Sequence, residues 1–240
     1  MPDNCKFQEV CNKLRLIDER NGYYLVFPSP DSFRVADIAF IVTRPEINGG
    51  FPMLVTARDV DKYHPNIVNA TVNPIFQYVE VGGGLGQFIM YIAGGLTRES
   101  PTPILIDHAD YELMRSMLIY ARGSLDSAKT NSVFNPQMRA EIDKRLDTLI
   151  RRAESILDGD RIKLVNLTLG KALESFPYLE GIADAVIDDF GARLYPLNES
   201  PDGKPSKGLH EMVLQLEKRL LKPGGILLTD STVCYRNAIS

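Results

Sequence analysis

Three glycines spaced two residues apart follow a short apolar run that contains an acid. They are Gly82, Gly84 and Gly86, and Glu80 lies two residues before the first of them. A turn of this composition lets bare main chain approach a ligand, because a side chain at these positions would block it. The dinucleotide fingerprint G-x-G-x-x-G needs a further glycine where this sequence has Gln87. We therefore expect the main-chain amides of this turn to contact a ligand, in a pattern that differs from the dinucleotide fingerprint.

Acidic residues end several of the predicted strands. Asp107 follows an apolar run about twenty residues after the glycines, the spacing of the acid that holds ribose hydroxyls in nucleotide sites. The competing interpretation, an acid that only interacts with a helix dipole, is disfavoured by the glycine turn before it. Asp188 and Asp189 end a later strand, and Asp230 ends the last one. These acids predict that polar groups gather at one edge of a sheet.

From residue 75 the chain alternates between short apolar runs and helical patterns. Near-continuous apolar strands separated by helices predict an α/β fold with a doubly wound, mostly parallel sheet and helices on both faces. In such a sheet, ligands bind beyond the carboxyl ends of the strands, where the strand order reverses. The predicted strands are 75–81, 103–107, 162–167, 183–187 and 225–229, and the predicted helices are 87–94, 111–120 and 208–221.

Two segments do not follow this alternation. Residues 1–72 predict a small N-terminal α+β extension, which leaves 73–240 as the α/β domain. The sequence of residues 124–160 predicts a helical insertion with a helix that begins at Asn135-Pro136. Three placements are open: the insertion packs on the core, covers the active site or forms a surface hairpin without a functional role. The predicted elements of the extension are a helix at 7–17 and strands at 23–27 and 33–43. The apolar stripe of the insertion comprises Met138, Ile142, Leu146, Leu149, Ala153 and Ile156.

The composition is that of a soluble globular protein. The chain has 240 residues, is 44% hydrophobic and carries a net charge of -4, which argues against nucleic acid as its main partner. Cys5, Cys11 and Cys234 are a sparse, odd set, so we expect reduced thiols in a cytoplasmic protein. The N-terminus shows no signal-peptide pattern, and no apolar run approaches the roughly 18–20 residues that span a bilayer. We therefore expect no membrane partner.

The pattern Glu-x-Gly-x-Gly-x-Gly, the acid at Asp107 and the turn Lys222-Pro-Gly-Gly resemble the class I S-adenosylmethionine-dependent methyltransferases over residues 73–231. The resemblance implies a Rossmann-like fold that binds S-adenosyl-L-methionine, with the methionine part at the glycine turn, the ribose on Asp107 and the adenine near His108. One departure is Gly170-Lys171, where many members have Gly-Asp to hold the adenine amine. The residues that the resemblance assigns to the cofactor are Glu80, Gly82, Gly83, Gly84, Gly86, Asp107, His108, Leu169 and Asp188.

Acids that end the fourth and fifth strands are similar to those of the metal-dependent catechol-type O-methyltransferases. The resemblance implies catalytic roles for Asp189 and Asp230. A divalent cation held by Asp188 or Asp189 together with Asp230 would lower the pKa of an attacking hydroxyl. A site without a metal is favoured, because acids at strand ends often cap helices or contact the cofactor.

A complete member of that family adds two strands after the fifth, the last of them antiparallel. Only nine residues follow Ser231 here, which leaves no room for both. An uncovered edge on the fifth strand would favour aggregation. We therefore expect the short tail, the strand at 23–27 or the partner in a homodimer to cover it.

The resemblance implies transfer of a methyl group to an oxygen or nitrogen nucleophile of a small-molecule acceptor, with catalysis mostly by positioning. One alternative is an aminopropyl transferase of the polyamine-synthase type, which has an aspartate where this chain has Leu85. A second alternative is a non-catalytic protein that binds an adenosyl ligand. A dehydrogenase that uses NAD fits less well, because Gln87 replaces the third glycine.

Overall fold

A computed structural model of the protein describes residues 39–42, 53–56, 72–85, 87–125, 136–188, 192, 207–229 and 232–236. The chain divides into two compact units. One comprises Met1–Asp59 and Ala109–Asp158, and the other comprises Val60–His108 and Gly159–Ser240. The boundary predicted at residue 72 stays a prediction, because residues 57–71 lie outside the described part of the chain.

The described residues contain the predicted strands and helices of the α/β domain, together with a helix at Leu169–Ser175 and a strand at Met53–Thr56 that the sequence did not predict. The strands are β1 (Ala39–Val42), β2 (Met53–Thr56), β3 (Tyr78–Val81), β4 (Ile104–Ile106), β5 (Lys163–Val165), β6 (Ala183–Asp188), β7 (Leu221–Thr229) and β8 (Thr232–Arg236). The helices are α1 (Gln87–Gly95), α2 (Tyr111–Leu125), α3 (Pro136–Asp158), α4 (Leu169–Ser175) and α5 (Lys207–Leu220), with a short 3₁₀ helix at Pro177–Leu179.

The second unit is built on a six-stranded sheet in the order β5-β4-β3-β6-β7-β8. The first five strands of that order are parallel, and β8 pairs with β7 in the antiparallel direction. The chain adds strands to one side of β3 and then returns to add β6 and β7 on its other side. The order therefore reverses between β3 and β6. This confirms the doubly wound α/β fold and locates its switch point.

Helices cover both faces of this sheet. Val79 and Val81 of β3 belong to an apolar cluster that contains residues of α4 and α5, such as Leu173 and Val213. Glu80 points to the opposite face, because side chains alternate along a strand, and it contacts Ile89 of α1. Right-handed crossover connections place helices on opposite faces when the strand order reverses. The short, almost wholly buried strands β3 and β4 reflect this double coverage.

The start of β3 differs from the prediction. The strand predicted from Ile75 begins at Tyr78, and the side chain of Ile75 is 76% exposed. Asn73 explains the difference: its Oδ1 accepts a hydrogen bond from the Ile75 amide at 3.2 Å, and its carbonyl accepts one from Phe76 at 3.1 Å. A side chain that mimics a turn in this way competes with extended pairing.

The turn predicted at Lys222-Pro-Gly-Gly lies inside β7 as an irregularity. Leu221 is opposite Ala183 of β6, whereas Ile226 is opposite Ala185, so the four residues between them bulge from the ladder. Gly224 takes a φ of 80° within the bulge. The amino ends of three strands are tied here, because Oδ2 of Asp184 accepts hydrogen bonds from Nζ of Lys222 and from the amide of Gln77, both at 2.8 Å.

The edge of the fifth parallel strand is covered by the chain's own tail. Strand β8 runs antiparallel to β7, with Thr232 opposite Thr229 and Arg236 opposite Ile226. The short tail is thus the one of the three expected candidates that pairs with this edge. The strand predicted at 23–27 lies outside the described residues, and a homodimer stays a prediction.

The first unit contains a hairpin and a pair of helices. Strands β1 and β2 pair antiparallel, with Ala39 opposite Thr56, inside the segment predicted as an α+β extension. Helices α2 and α3 pack against each other and run antiparallel, because Arg115 pairs with Glu154 near one end and Arg122 pairs with Asp147 near the other.

The inserted helix follows its predicted pattern. Helix α3 begins at Pro136 as expected, and four residues of its apolar stripe are buried, namely Leu146, Leu149, Ala153 and Ile156. The side chains of Met138 and Ile142 and the helix predicted at 7–17 lie outside the described residues. Among the helices that the structure describes, none combines the length and the apolarity that a bilayer-crossing segment requires.

Candidate functional site

The glycine turn lies at the switch point of the sheet, between β3 and α1. Gly82 and Gly84 have φ angles of 63° and 54°, the left-handed region that side chains other than glycine rarely adopt. The amide of Gly82 donates to the carbonyl of Ile106 at 2.8 Å, which fixes the start of the turn against β4. Leu85 is buried and holds the far side of the turn in the core. Gly86 lies outside the described residues.

Asp107 contacts this turn directly. Its Oδ2 accepts a hydrogen bond from the amide of Gly84 at 2.8 Å, and the carboxylate is almost completely buried. Its main chain is held by the last residue of β5 and the residue that follows it, since its amide donates to the carbonyl of Val165 at 3.2 Å and its carbonyl accepts from Nδ2 of Asn166 at 2.8 Å. A carboxylate can accept about four hydrogen bonds, so holding Gly84 is compatible with receiving ribose hydroxyls.

Glu80 anchors the first helix to the central strand. Its Oε2 accepts a hydrogen bond from the amide of Ile89 at 2.8 Å, and the residue is only 2% exposed. Ile89 is the third residue of α1, where main-chain amides have no partner within the helix and the helix dipole favours negative charge. Glu80 therefore fixes where α1 starts. Its predicted direct contact with a cofactor stays a prediction.

Gly83 is required because Glu80 occupies the space beside it. A Cβ atom at position 83 would lie 2.6 Å from Oε1 of Glu80, and that carboxylate could move aside only by giving up its hydrogen bond from Ile89. The sequence pattern shows the glycine but not this reason for it. Gly83 is needed because there is no space for a side chain, whereas Gly82 and Gly84 are needed for their backbone conformation.

Gly83→Ala is expected to lower the free energy of unfolding by about 1.5–3 kcal/mol, because it displaces a charged hydrogen-bond acceptor from the helix start. Gly94→Ala, inside helix α1, is the control: no atom lies within 4 Å of its Cβ position, and alanine there should stabilise by up to about 1 kcal/mol. Urea denaturation of both variants checks this. Equal stability of the Gly83 variant and the parent would show that Glu80 is not fixed.

The strand register brings the predicted cofactor acids to one edge. Glu80 is opposite Ile187, so Asp188 lies beside the last residue of β3, where the glycine turn begins. Asp188 is also opposite Thr229, and it is 1% exposed. Asp189 and Asp230 directly follow these two strand ends, but both lie outside the described residues. Their predicted catalytic roles stay predictions.

His108 and Leu169, which are predicted to lie near the adenine, have different surroundings. His108 is 7% exposed and follows Asp107 at the same edge of the sheet. Leu169 is the first residue of α4, and its side chain belongs to the apolar core. Lys171, which occupies the position where the family often has an acid, is exposed in the first turn of α4. Any contact of Leu169 with adenine would therefore come from its main chain, because its side chain packs inward.

A metal site is not formed by the residues that can be described. Within that part of the chain, no group of three or more histidine, cysteine, aspartate or glutamate side chains is placed to hold an ion. The acids of the metal hypothesis include Asp189 and Asp230, which lie outside it. The hypothesis therefore stays open.

One residue of the site was missed by sequence reasoning. Asn166 follows β5, and its side-chain amide donates to the carbonyl of Asp107, which orients the acid. Asn166 lies near the end of the strand predicted at 162–167, and a polar residue at the end of an apolar run is the signal that could have identified it. Acids at or directly after the ends of predicted strands identified Asp107 and Asp188 in the same way.

No protein-family model matches this chain, and no curated protein matches it. Among solved structures, it is similar to a Methanococcus maripaludis protein proposed to be an S-adenosyl-L-methionine-dependent methyltransferase, with 13% identity and a TM-score of 0.34. The match covers 69% of this chain and 52% of the neighbour, so the chain spans about half of that protein's length. The likeness is too distant to indicate a function.

Proposed function

We propose that this protein is an S-adenosyl-L-methionine-dependent methyltransferase that acts on an oxygen or nitrogen nucleophile of a small molecule. The observation that carries the proposal is the 2.8 Å hydrogen bond between the amide of Gly84 and Oδ2 of Asp107, at the switch point of a doubly wound sheet. It joins a ligand-facing main-chain turn to an acid of the type that holds ribose hydroxyls.

The charge of this edge favours a cationic ligand. Glu80, Asp107 and Asp188 are all at least 98% buried, and all three lie at or beside the carboxyl ends of adjacent strands. The carboxylate of Glu80 already accepts from an amide at the start of α1, which is where a dinucleotide would place its pyrophosphate. A second anion there would be repelled, whereas a sulfonium and an ammonium group would be attracted.

S-adenosyl-L-methionine supplies an activated methyl group on a sulfonium. When bound, it would supply that methyl group to an oxygen or nitrogen nucleophile, whose new bond to carbon would replace the carbon–sulfur bond and leave its electron pair on sulfur. The protein then needs to align the nucleophile and accept its proton. Within this proposal Gly82, Gly84 and Asp107 hold the cofactor, and Asp189 and Asp230 are the candidates for the base.

An aminopropyl transferase is the second candidate, because the same acidic edge also suits decarboxylated S-adenosylmethionine, which carries one negative charge less. The turn itself disfavours it: Leu85 stands where that type of enzyme has an aspartate, and its side chain is 1% exposed. The two candidates therefore differ in which donor should be consumed.

The test is calorimetry followed by product analysis on the full chain. We expect S-adenosylhomocysteine to bind and NADH not to bind, and we expect labelled methyl transfer to an acceptor panel, assayed with and without magnesium. Consumption of the decarboxylated donor alone would identify the aminopropyl transferase. Binding without transfer across the panel would indicate a non-catalytic protein, and tight NADH binding beside weak S-adenosylhomocysteine binding would overturn the adenosyl site.

A further inference from the structure

A cleft of about 390 Å³ opens at the opposite edge of the sheet from the glycine turn. Its walls are the end of α1 with the following segment up to Pro103, and the bend at Asp160 and Arg161 before β5. Pro103 lines the cleft, whereas Asp107 ends the same strand at the other edge. Four residues of strand separate the two sites by roughly 13 Å. The cleft is therefore distinct from the adenosyl site.

The walls of the cleft are fixed by hydrogen bonds. The amide of Lys163 donates to the carbonyl of Pro103 at 2.9 Å and joins the two walls, and Nε2 of Gln77 donates to the carbonyl of Thr102 at 2.9 Å. The amide of Thr97 donates to Oγ of Ser100 at 3.2 Å, which closes a turn in the first wall. A cleft with tied walls loses little conformational entropy when a ligand binds.

Two arginines supply the charge of this cleft. Arg98 and Arg161 both line it, and both are exposed. Within the residues that the structure describes, no hydrogen bond or ion pair engages either guanidinium. Asp160 is the opposing acid in the lining, so the charged side chains of the cleft sum to one positive charge in a protein whose net charge is -4. Thr97, Ser100 and Thr102 add hydroxyl groups that can donate.

We propose that this cleft binds the phosphate group of a small molecule. A guanidinium presents donors in a planar fork that matches two oxygens of a phosphate, and the two guanidinium groups outweigh the single acid of the lining. The hydroxyl groups of the lining can donate to the remaining oxygens. The cleft is large enough for a small phosphorylated ligand and lies outside the adenosyl site, so this proposal does not depend on the methyl-transfer proposal.

The test is calorimetric titration of the full chain with inorganic pyrophosphate, against sodium chloride at matched ionic strength. We expect saturable binding at one site. Arg98→Gln and Arg161→Gln should each weaken it by about tenfold or more, since hydrogen bonds between charged groups contribute about 1.5–3 kcal/mol. Arg98→Lys should weaken it less, because the charge remains while the fork is lost.

Arg219→Gln is the control, since Arg219 is also an exposed arginine of the same unit and its guanidinium pairs with Glu180 outside the cleft. The Arg219 variant should bind pyrophosphate as the parent does. Saturation of the parent with S-adenosylhomocysteine should leave its pyrophosphate binding unchanged. Absence of saturable binding, or an equal loss in the Arg219 variant, would overturn the proposal. Displacement by S-adenosylhomocysteine would show that pyrophosphate sits at the glycine turn instead.

Discussion

Asp107→Ala is expected to weaken S-adenosylhomocysteine binding by about a hundredfold. Two contributions are lost together. The ribose hydroxyls lose a charged acceptor, which is worth about 1.5–3 kcal/mol, and the amide of Gly84 loses the partner that positions the glycine turn. Each 1.4 kcal/mol corresponds to about tenfold in affinity. Calorimetry on the folded variant, with its unfolding transition monitored in parallel, measures the effect.

Asp107→Asn separates the two contributions. The amide oxygen of asparagine can still accept from Gly84, so the turn should keep its geometry, while the ribose loses the negative charge. We expect a loss of about tenfold for this variant. An analogue of the ligand that lacks both ribose hydroxyls should bind the parent and the asparagine variant equally, as in a double-mutant cycle. If both variants bind S-adenosylhomocysteine within about threefold of the parent, Asp107 does not hold ribose.

Gly84→Val is expected to reduce S-adenosylhomocysteine affinity by at least about a hundredfold, or roughly 2.7 kcal/mol. A valine side chain would occupy the space in which the proposed ligand contacts the main chain of the turn, and a φ of 54° is strained for a branched residue. The backbone strain alone should cost about 1–2 kcal/mol of stability. Binding and unfolding measurements on the same preparation separate the two effects.

Gly181→Val is the control that isolates the ligand effect. Gly181 has a φ of 63°, close to that of Gly84, and no atom lies within 4 Å of its Cβ position. It should carry a similar backbone strain while leaving affinity unchanged. An equal loss of affinity in both variants would mean that general destabilisation, and not the turn, explains the effect.

The order of elements in the second unit was predictable from the sequence because the strands are buried on both faces. Ile104–Ile106 is wholly apolar, and Ala183–Asp188 is almost wholly buried although it contains two acids. Such runs can be identified as strands even where apolar and polar residues do not alternate. The convergence of Gly82, Asp107 and Asp188 followed from the same pattern, because parallel strands end at one edge.

What the sequence could not predict depends on side chains that act across long separations. The position of Asn73 before a strand gives no measure of whether its amide oxygen will hold the next residues in a turn, so the start of β3 was placed three residues early. The bulge in β7 depends on Asp184 of another strand, which holds Lys222. The anchoring of α1 by Glu80 was likewise invisible, because an acid before glycines suits a ligand contact equally well.

The hydrogen bond between Gln77 and Asp184, at the junction of β3 with β6, joins residues 107 positions apart. At a translation rate of about 5–20 residues per second, roughly 5–20 s pass between their appearances on the ribosome. During that interval the edge of β3 that will pair with β6 has no partner strand, and its main-chain N–H and C=O groups are open to pairing with other chains. We expect nascent chains that are released before residue 188 has been synthesised to be substrates for chaperones. We also expect a nucleoside ligand to reduce chaperone binding only for chains that extend past residue 188.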